Sequence, residues 1–260
     1  MKFVQTDSKR TENIATVLNC LKQFSDTVTL RFSDEGIYVQ GLDGSHVSLF
    51  EWKLTKSWFT EYEWHEDDVK EASLATGIMH KVISTFHQDQ TMTMEIGATG
   101  DNVSLSFTSG KQTCDKHFEL PLIDVDSDLL EIPEKDSDID LIITSKIFSE
   151  LIGQFEIFDN TLSFKFTDED IVMKATGIDG SMKASLSLDD VTEFAMAEDK
   201  DEIKQSFALR YIKMMCNFSK ISKETNMEFT VGAPMKLKYD MAEESYIQFY
   251  LAPKMDYDED

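Results

Sequence analysis

Along most of the chain, apolar and polar residues alternate in short runs, the period of strands that bury one face. Thr27 to Phe32, His46 to Leu54, Thr91 to Ile96, Asn102 to Phe107, Thr161 to Phe166, Met235 to Met241 and Tyr246 to Leu251 all read this way. The turn-forming clusters Gly97 to Asn102 and Ala242 to Ser245 predict hairpins. Four segments carry the helical period instead. Ile14, Val17, Leu18, Leu21 and Phe24 share a face of the first, Ile78, Val82, Ile83 and Phe86 of the second, and Ile147, Phe148, Leu151, Ile152 and Phe155 of the third. The fourth is predicted from Ser206 to Lys220.

An internal repeat organises these elements. Phe32-Ser33-Asp34-Glu35-Gly36-Ile37 returns as Phe166-Thr167-Asp168-Glu169-Asp170-Ile171, and each copy is followed by Asp-Gly-Ser, at 43 to 45 and at 179 to 181. A helical segment precedes each copy. The chain therefore reads as α+β, two similar domains, each with two helices packed on antiparallel sheets. The predicted domains are residues 1–121 and 139–260, the second ending in an acidic tail after Pro253. Residues 122–138, acidic, containing Pro133 and without clear periodicity, are predicted to connect them.

Charge changes the picture most. With 49 acidic and 25 basic residues the net charge is -24, so the outer surface repels polyanions and DNA gripped from outside is excluded. Charges are screened beyond roughly 8 Å at physiological ionic strength, which leaves room for a basic face behind protein layers. The fourth helical segment offers one: Arg210, Lys213, Asn217 and Lys220 recur at the spacing of a single stripe. Lys22 and Lys81 on the first and second add to it, whereas Glu150, Gly153 and Gln154 occupy the polar face of the third and leave only Lys146 at its start. No apolar stretch occurs from Met1 to Lys9, and none later approaches the ~18 residues of a membrane span, so a soluble intracellular protein is expected. Cys20, Cys114 and Cys216 are odd in number and widely spaced, which predicts reduced packing residues and no disulfide framework or zinc site.

Enzyme signatures fail one by one. Gly110-Lys111-Gln112 lacks the upstream Gly and the following hydroxyl of a phosphate-cradling loop. Asp124, Asp126 and Asp128 imitate the opening of a calcium loop, but Leu129 stands where the turn requires Gly and Lys135 where the closing Glu belongs. His65-Glu66-Asp67-Asp68 has no second histidine nearby and reads as a solvated loop. Trp52, Trp58 and Trp64 read as packing residues or surface anchors. No catalytic residue, metal or cofactor is expected.

Four segments, in order and across the whole chain, resemble the proliferating cell nuclear antigen family. They are Leu42-Asp43-Gly44-Ser45-His46-Val47-Ser48-Leu49, Leu130-Glu131-Ile132-Pro133-Glu134, Phe207-Ala208-Leu209-Arg210-Tyr211 and Tyr250-Leu251-Ala252-Pro253-Lys254. The resemblance implies a DNA-clamp fold in which three subunits close head to tail, helices line the hole and sheets form the outer wall. The clamp would encircle double-stranded DNA, with Lys22, Lys81, Lys146, Arg210, Lys213 and Lys220 facing the phosphates, and would tether DNA polymerase and other replication and repair proteins as a processivity factor. Partner proteins with a PIP-box-type peptide would dock at Leu42, His46, Val47, Leu49, Leu130, Ile132, Pro133, Pro234, Tyr250, Ala252 and Pro253. Ring closure would involve Lys111, Thr113, Asp115 and His117 on one edge and Ser181, Lys183 and Ser185 on the other. A clamp loader is implied as a further partner and no membrane; the location implied is nuclear, or a viral replication site.

Some positions depart from the family pattern. Glu150 and Gly153 stand in the third helix, and Ala15 and Thr16 in the first, where basic residues are expected, which implies weaker or redistributed DNA contact. Leu42 replaces a methionine of similar volume. Three alternatives stay open at this point: a subunit of a heterotrimeric checkpoint-type clamp, a monomeric processivity factor and, from another class, a metal-dependent hydrolase using the acidic connector or the His65 cluster.

Overall fold

Strands and helices alternate in the same order twice along the chain. The computed structural model describes residues 1–97, 101–110, 114–125, 128–133 and 135–255. The first series is β1 (Lys2–Gln5), α1 (Ser8–Leu21), β2 (Thr27–Ser33), β3 (Gly36–Leu42), β4 (Ser48–Thr55), β5 (Glu61–Glu63), β6 (Glu71–Ala75), α2 (Thr76–Ile83), β7 (Thr91–Ile96), β8 (Asn102–Thr108) and β9 (Lys116–Pro121). The second is β10 (Ile139–Thr144), α3 (Ser145–Phe155), β11 (Thr161–Phe166), β12 (Asp170–Gly177), β13 (Gly180–Ser187), β14 (Glu193–Met196), β15 (Ile203–Ala208), α4 (Leu209–Met215), β16 (Glu224–Phe229), β17 (Met235–Asp240) and β18 (Tyr246–Leu251).

The chain divides into two units. The first holds Met1–Gly44, Phe50–Leu130 and Met241–Ile247, the second Ser45–Leu49, Glu131–Asp240 and Gln248–Asp260. Strand order in the first series runs β5-β1-β7-β8-β9 and β4-β3-β2-β6; in the second it runs β14-β10-β16-β17-β18 and β13-β12-β11-β15. Adding nine to each strand number converts one set into the other. The short sequence repeat marks the same place in both, the β2–β3 and β11–β12 turns; the first Asp-Gly-Ser lies in the β3–β4 connection, and the second runs from the β12–β13 turn at Asp179 into the start of β13.

Each unit buries the helix faces that the apolar period predicts, with two corrections. Ile78 and Ile147 are 47% and 44% exposed, because Met79 and Phe148, one residue on, turn inward instead. The fourth helix is shorter than predicted: Ser206 to Ala208 belong to β15, and α4 stops at Met215. Fully buried Phe218 anchors the turn that follows, its carbonyl accepting from the N–H groups of Ile221 and Ser222. At the other end of the molecule's first helix, Asp7 caps the start, accepting from the N–H groups of Lys9 and Arg10 at 2.8 and 3.2 Å.

The two cores are filled differently. In the second unit Phe164, Phe166, Phe207 and Phe229 pack together, Phe166 and Phe229 with ring centroids 4.6 Å apart. In the first, Leu30, Leu74, Met79, Met94 and their apolar neighbours leave a cavity of about 30 Å³. The cross-strand pairs Val28–Leu74 and Leu162–Phe207 occupy matching positions of the repeat, so Leu74 stands where the second unit has Phe207, and Leu30 where it has Phe164. Among the described residues no helix is long and apolar enough to cross a membrane.

Candidate functional site

In the first unit α1 packs beside α2. This brings Lys22, at the end of α1, to His80 of α2, with Nζ and Nδ1 3.4 Å apart, and Lys81 is the next residue. Burial and then the Lys22 and Lys81 ammonium groups hold His80 below its ordinary pKa of 6.5. Among the described residues no carboxylate pairs with Lys22 or Lys81, so the helix pair carries a cationic cluster. His80 escaped the sequence reading because its partner lies 58 residues away.

The second unit places its cations differently. Lys146 of α3 lies 3.9 Å from Glu150, and Lys213 of α4 is ion-paired with Glu156 just after α3. Arg210 lies over the Tyr211 ring, its Cζ 4.7 Å from the centroid, and donates to the Tyr211 hydroxyl at 3.1 Å. The single basic stripe expected on this helix is corrected: Asn217 and Lys220 lie in the turn beyond Met215, off the helix. The i, i+3, i+7, i+10 spacing needs a helix that continues, and burial of Phe218 ends it.

The sheet edges fall into three kinds. The outer side of β6 is covered by the segment after β9, where the Ile123 N–H donates to the Ser73 carbonyl at 2.9 Å. The matching strand β15 is covered in the same way by the segment after β18, where the Lys254 N–H donates to the Ser206 carbonyl at 2.7 Å. Strands β5 and β14 are edges of only three and four residues. Two long edges remain, β9 and β13, of six and eight residues. Along β13, Met182, Ala184 and Leu186 are half-buried while Ser181, Lys183 and Ser185 are exposed. His117 lies on β9; Asp115 lies just before it, its carboxylate accepting from the Ser109 N–H at 2.8 Å. Lys111 and Thr113 lie outside the described residues.

Of the expected docking residues, the second unit brings together Val47 and Ala252, the carbonyl of the first accepting from the N–H of the second at 3.0 Å. Pro133 and Pro234 are exposed, Ile132, Tyr250 and Pro253 half-buried, and Leu49 is buried at 9% exposure. His46, exposed, takes a left-handed backbone, φ 56°. Val231, 56% exposed, is a further apolar surface residue outside the expected set, and its N–H donates to the Asp138 carboxylate at 2.7 Å. In the first unit Leu42 is half-buried and Leu130 is 46% exposed, its backbone held by the Gln40 side chain. Glu134 lies outside the described residues.

Other candidate chemistry resolves into structure. Asp68 accepts from the His65 N–H at 2.9 Å and pairs with the Met1 ammonium at 3.4 Å, and the first of these holds its carboxyl below the usual range. Among the described residues no cluster of His, Cys, Asp or Glu is arranged to hold a metal ion; Asp126 lies outside them. Trp52 and Trp58 are core residues, and Trp64 donates to the Val69 carbonyl at 3.2 Å. Cys20 and Cys216 are buried as expected, and burial drives the Cys216 thiol pKa up; Cys114 is a correction, an exposed residue in a loop with no core to enter.

A doubled unit of two helices against antiparallel sheets, helix pairs bearing cations in an acidic protein, defines a DNA sliding clamp subunit. The comparison with known proteins agrees. The family model for the proliferating cell nuclear antigen N-terminal domain matches residues 8–129, and that for its C-terminal domain matches residues 131–254. Proliferating cell nuclear antigen 2 of Drosophila melanogaster is 26% identical over 239 residues, covering 92% of both chains. Proliferating cell nuclear antigen 1 of Plasmodium falciparum (isolate K1 / Thailand) is 25% identical over 259 residues, covering 94% of both. The chain belongs to the proliferating cell nuclear antigen family, whose members are non-enzymatic clamps that encircle DNA and act as processivity factors for polymerases.

Proposed function

We propose that this clamp works as a homotrimer in which β9 of one copy pairs with β13 of the next. The observation that carries the reading is the state of the sheet edges: β6 and β15 are covered, β5 and β14 are very short, and β9 and β13 are long and open. Unpaired edge groups and the half-exposed apolar row of β13 favour a partner strand, and edges at two different places on one chain join head to tail and close a ring. Self-association separates it from the heterotrimeric and monomeric alternatives, because only a homotrimer must close a ring from identical chains. Light scattering tests it. Three chains of 29.7 kDa give about 89 kDa, stable on dilution to low micromolar concentration; a particle of 29.7 kDa throughout removes it.

DNA in the ring faces Lys22 and Lys81 of the first unit most strongly, with Lys146, Arg210, Lys213 and Lys220 of the second contributing less because several are already engaged within the chain. Contact need only be weak, since nonspecific phosphate binding is typically about 10⁻⁴ to 10⁻⁶ M. Polymerases and repair proteins reach the clamp through a short peptide with an aromatic anchor and basic flanks. It docks on the second unit at Val47, Ile132, Pro133, Pro234, Tyr250, Ala252 and Pro253, with His46 and Leu49 beside them, and the same reading assigns Leu42 and Leu130 of the first unit to partner contact. Basic flanks suit a chain of net charge -24. An ATP-driven loader opens the ring, and a eukaryotic-type clamp of this kind works in the nucleus.

A further inference from the structure

The exposed Leu130 is held in place by one side chain. The Gln40 carboxamide meets the Leu130 backbone at two points: Nε2 donates to the Leu130 carbonyl at 3.0 Å, and Oε1 accepts from the Leu130 N–H at 2.8 Å. This reproduces, from a side chain, the pair of bonds that a neighbouring strand would give. Among the described residues between Ile123 and Asp136, these are the only hydrogen bonds on the connector. Gln40 is therefore the mid-span anchor that the described residues show.

The orientation of that amide is itself fixed. Glu51, buried at 8% exposure on β4, accepts a hydrogen bond from the Tyr38 hydroxyl on β3. Burial, and next the hydrogen bond to Glu51, drive the Tyr38 pKa upward, so the hydroxyl stays protonated and donates to the carboxylate. Its remaining lone pair accepts from Gln40 Nε2 at 3.3 Å. The amide nitrogen is thereby turned toward Tyr38 and the Leu130 carbonyl, leaving Oε1 for the Leu130 N–H.

We propose that Gln40 is a positioning residue for partner docking: through the Leu130 backbone it sets the place of the Leu130 side chain before any peptide arrives. The gain is preorganisation, because a peptide meeting a fixed leucine does not have to order the connector on binding. The inference rests on the assignment of Leu130 to partner contact.

A synthetic fluorescent peptide with an aromatic anchor and basic flanks, titrated against the full-length clamp, tests both. Leu130→Ala, Gln40→Ala, the volume-conserving Gln40→Met, and Gln40→Ala combined with Leu130→Ala are compared, with solution mass and Tm as controls. Expected are affinities about tenfold weaker for either Gln40 variant, the size of two neutral hydrogen bonds. The double variant should bind no more weakly than Leu130→Ala alone, and the Leu130 amide should exchange faster in Gln40→Met at unchanged Tm. If Leu130→Ala weakens binding while both Gln40 variants bind as wild type, or if the losses add in the double variant, the positioning role is overturned and the docking assignment survives. Leu130→Ala binding as wild type removes the docking assignment at Leu130 and the positioning role with it.

Discussion

The two units share an order of strands and helices that differs only by nine in strand number, yet what each carries differs. The first unit has a mixed core, in which aliphatic side chains with Phe3 and Trp52 surround a small void, and a helix pair whose Lys22, His80 and Lys81 stand together with no carboxylate partner among the described residues. The second has a core of clustered phenylalanines packed mostly at tilted and edge-on angles, and a helix pair whose Lys146 and Lys213 are answered by Glu150 and Glu156. Architecture is set by the alternation and helical period of apolar positions, which must be kept for either unit to bury its core. Helix-face charge is under no such constraint, so cations without a partner among the described residues can concentrate in one half.

Breaking the edge pairing has the largest expected effect. Ala184→Asp puts a carboxylate on the half-buried row of β13 that the proposed ring closure would cover, and the particle mass should fall from about 89 kDa toward 29.7 kDa. An unchanged trimer would move closure away from β13. Next come the cores. Phe207→Ala should destabilise its unit by about 3–5 kcal/mol. The reverse exchange, Leu74→Phe, enters the side of the cavity and should change stability by less than about 1.5 kcal/mol. Denaturant unfolding measures both, and a loss for Leu74→Phe as large as that for Phe207→Ala would mean the void does not accommodate a ring.

The helix faces come third. Lys22→Glu with Lys81→Glu should lower DNA-dependent polymerase stimulation about fivefold or more, and Arg210→Glu with Lys213→Glu by clearly less, each with the ring intact. Equal losses would restore equal roles to the two units. The smallest effect is in pH. His80 sits below 6.5 in the folded chain, so between its lowered value and 6.5 the unfolded chain binds more protons. Stability therefore rises with pH across that window and is lost as pH falls through it. His80→Gln should flatten the Tm profile just below pH 6.5; a profile that keeps its slope would place the titration elsewhere.

Much of this was legible in the sequence, for physical reasons that also explain the gaps. β7, β11 and β18 span the residues that alternation predicts: β7 and β11 bury every second residue, and β18 does so while burying Gln248 as well. The repeat at Phe32 and Phe166 was readable because a tight turn restricts residue choice in both copies. Lys213 could not be read as neutralised, since Glu156 lies on a neighbouring segment 57 residues away. Ile78 misled because an apolar residue on a short helix can face either way, and Met79 fills the core in its place. Gln40 gave no signal at all: a glutamine in a strand is ordinary, and its meaning lies in the backbone it meets 90 residues later.

If topology, with little help from contact, keeps the clamp on DNA, its retention on nicked circular DNA must change after a single cut. The clamp is placed on the circles by an ATP-driven loader, the complexes are isolated by gel filtration, and half the sample is linearised. The clamp should stay with intact circles through the column and leave once the DNA has ends. Equal retention on circles and on cut DNA would mean that the protein holds DNA by its surface, and would contradict retention by topology.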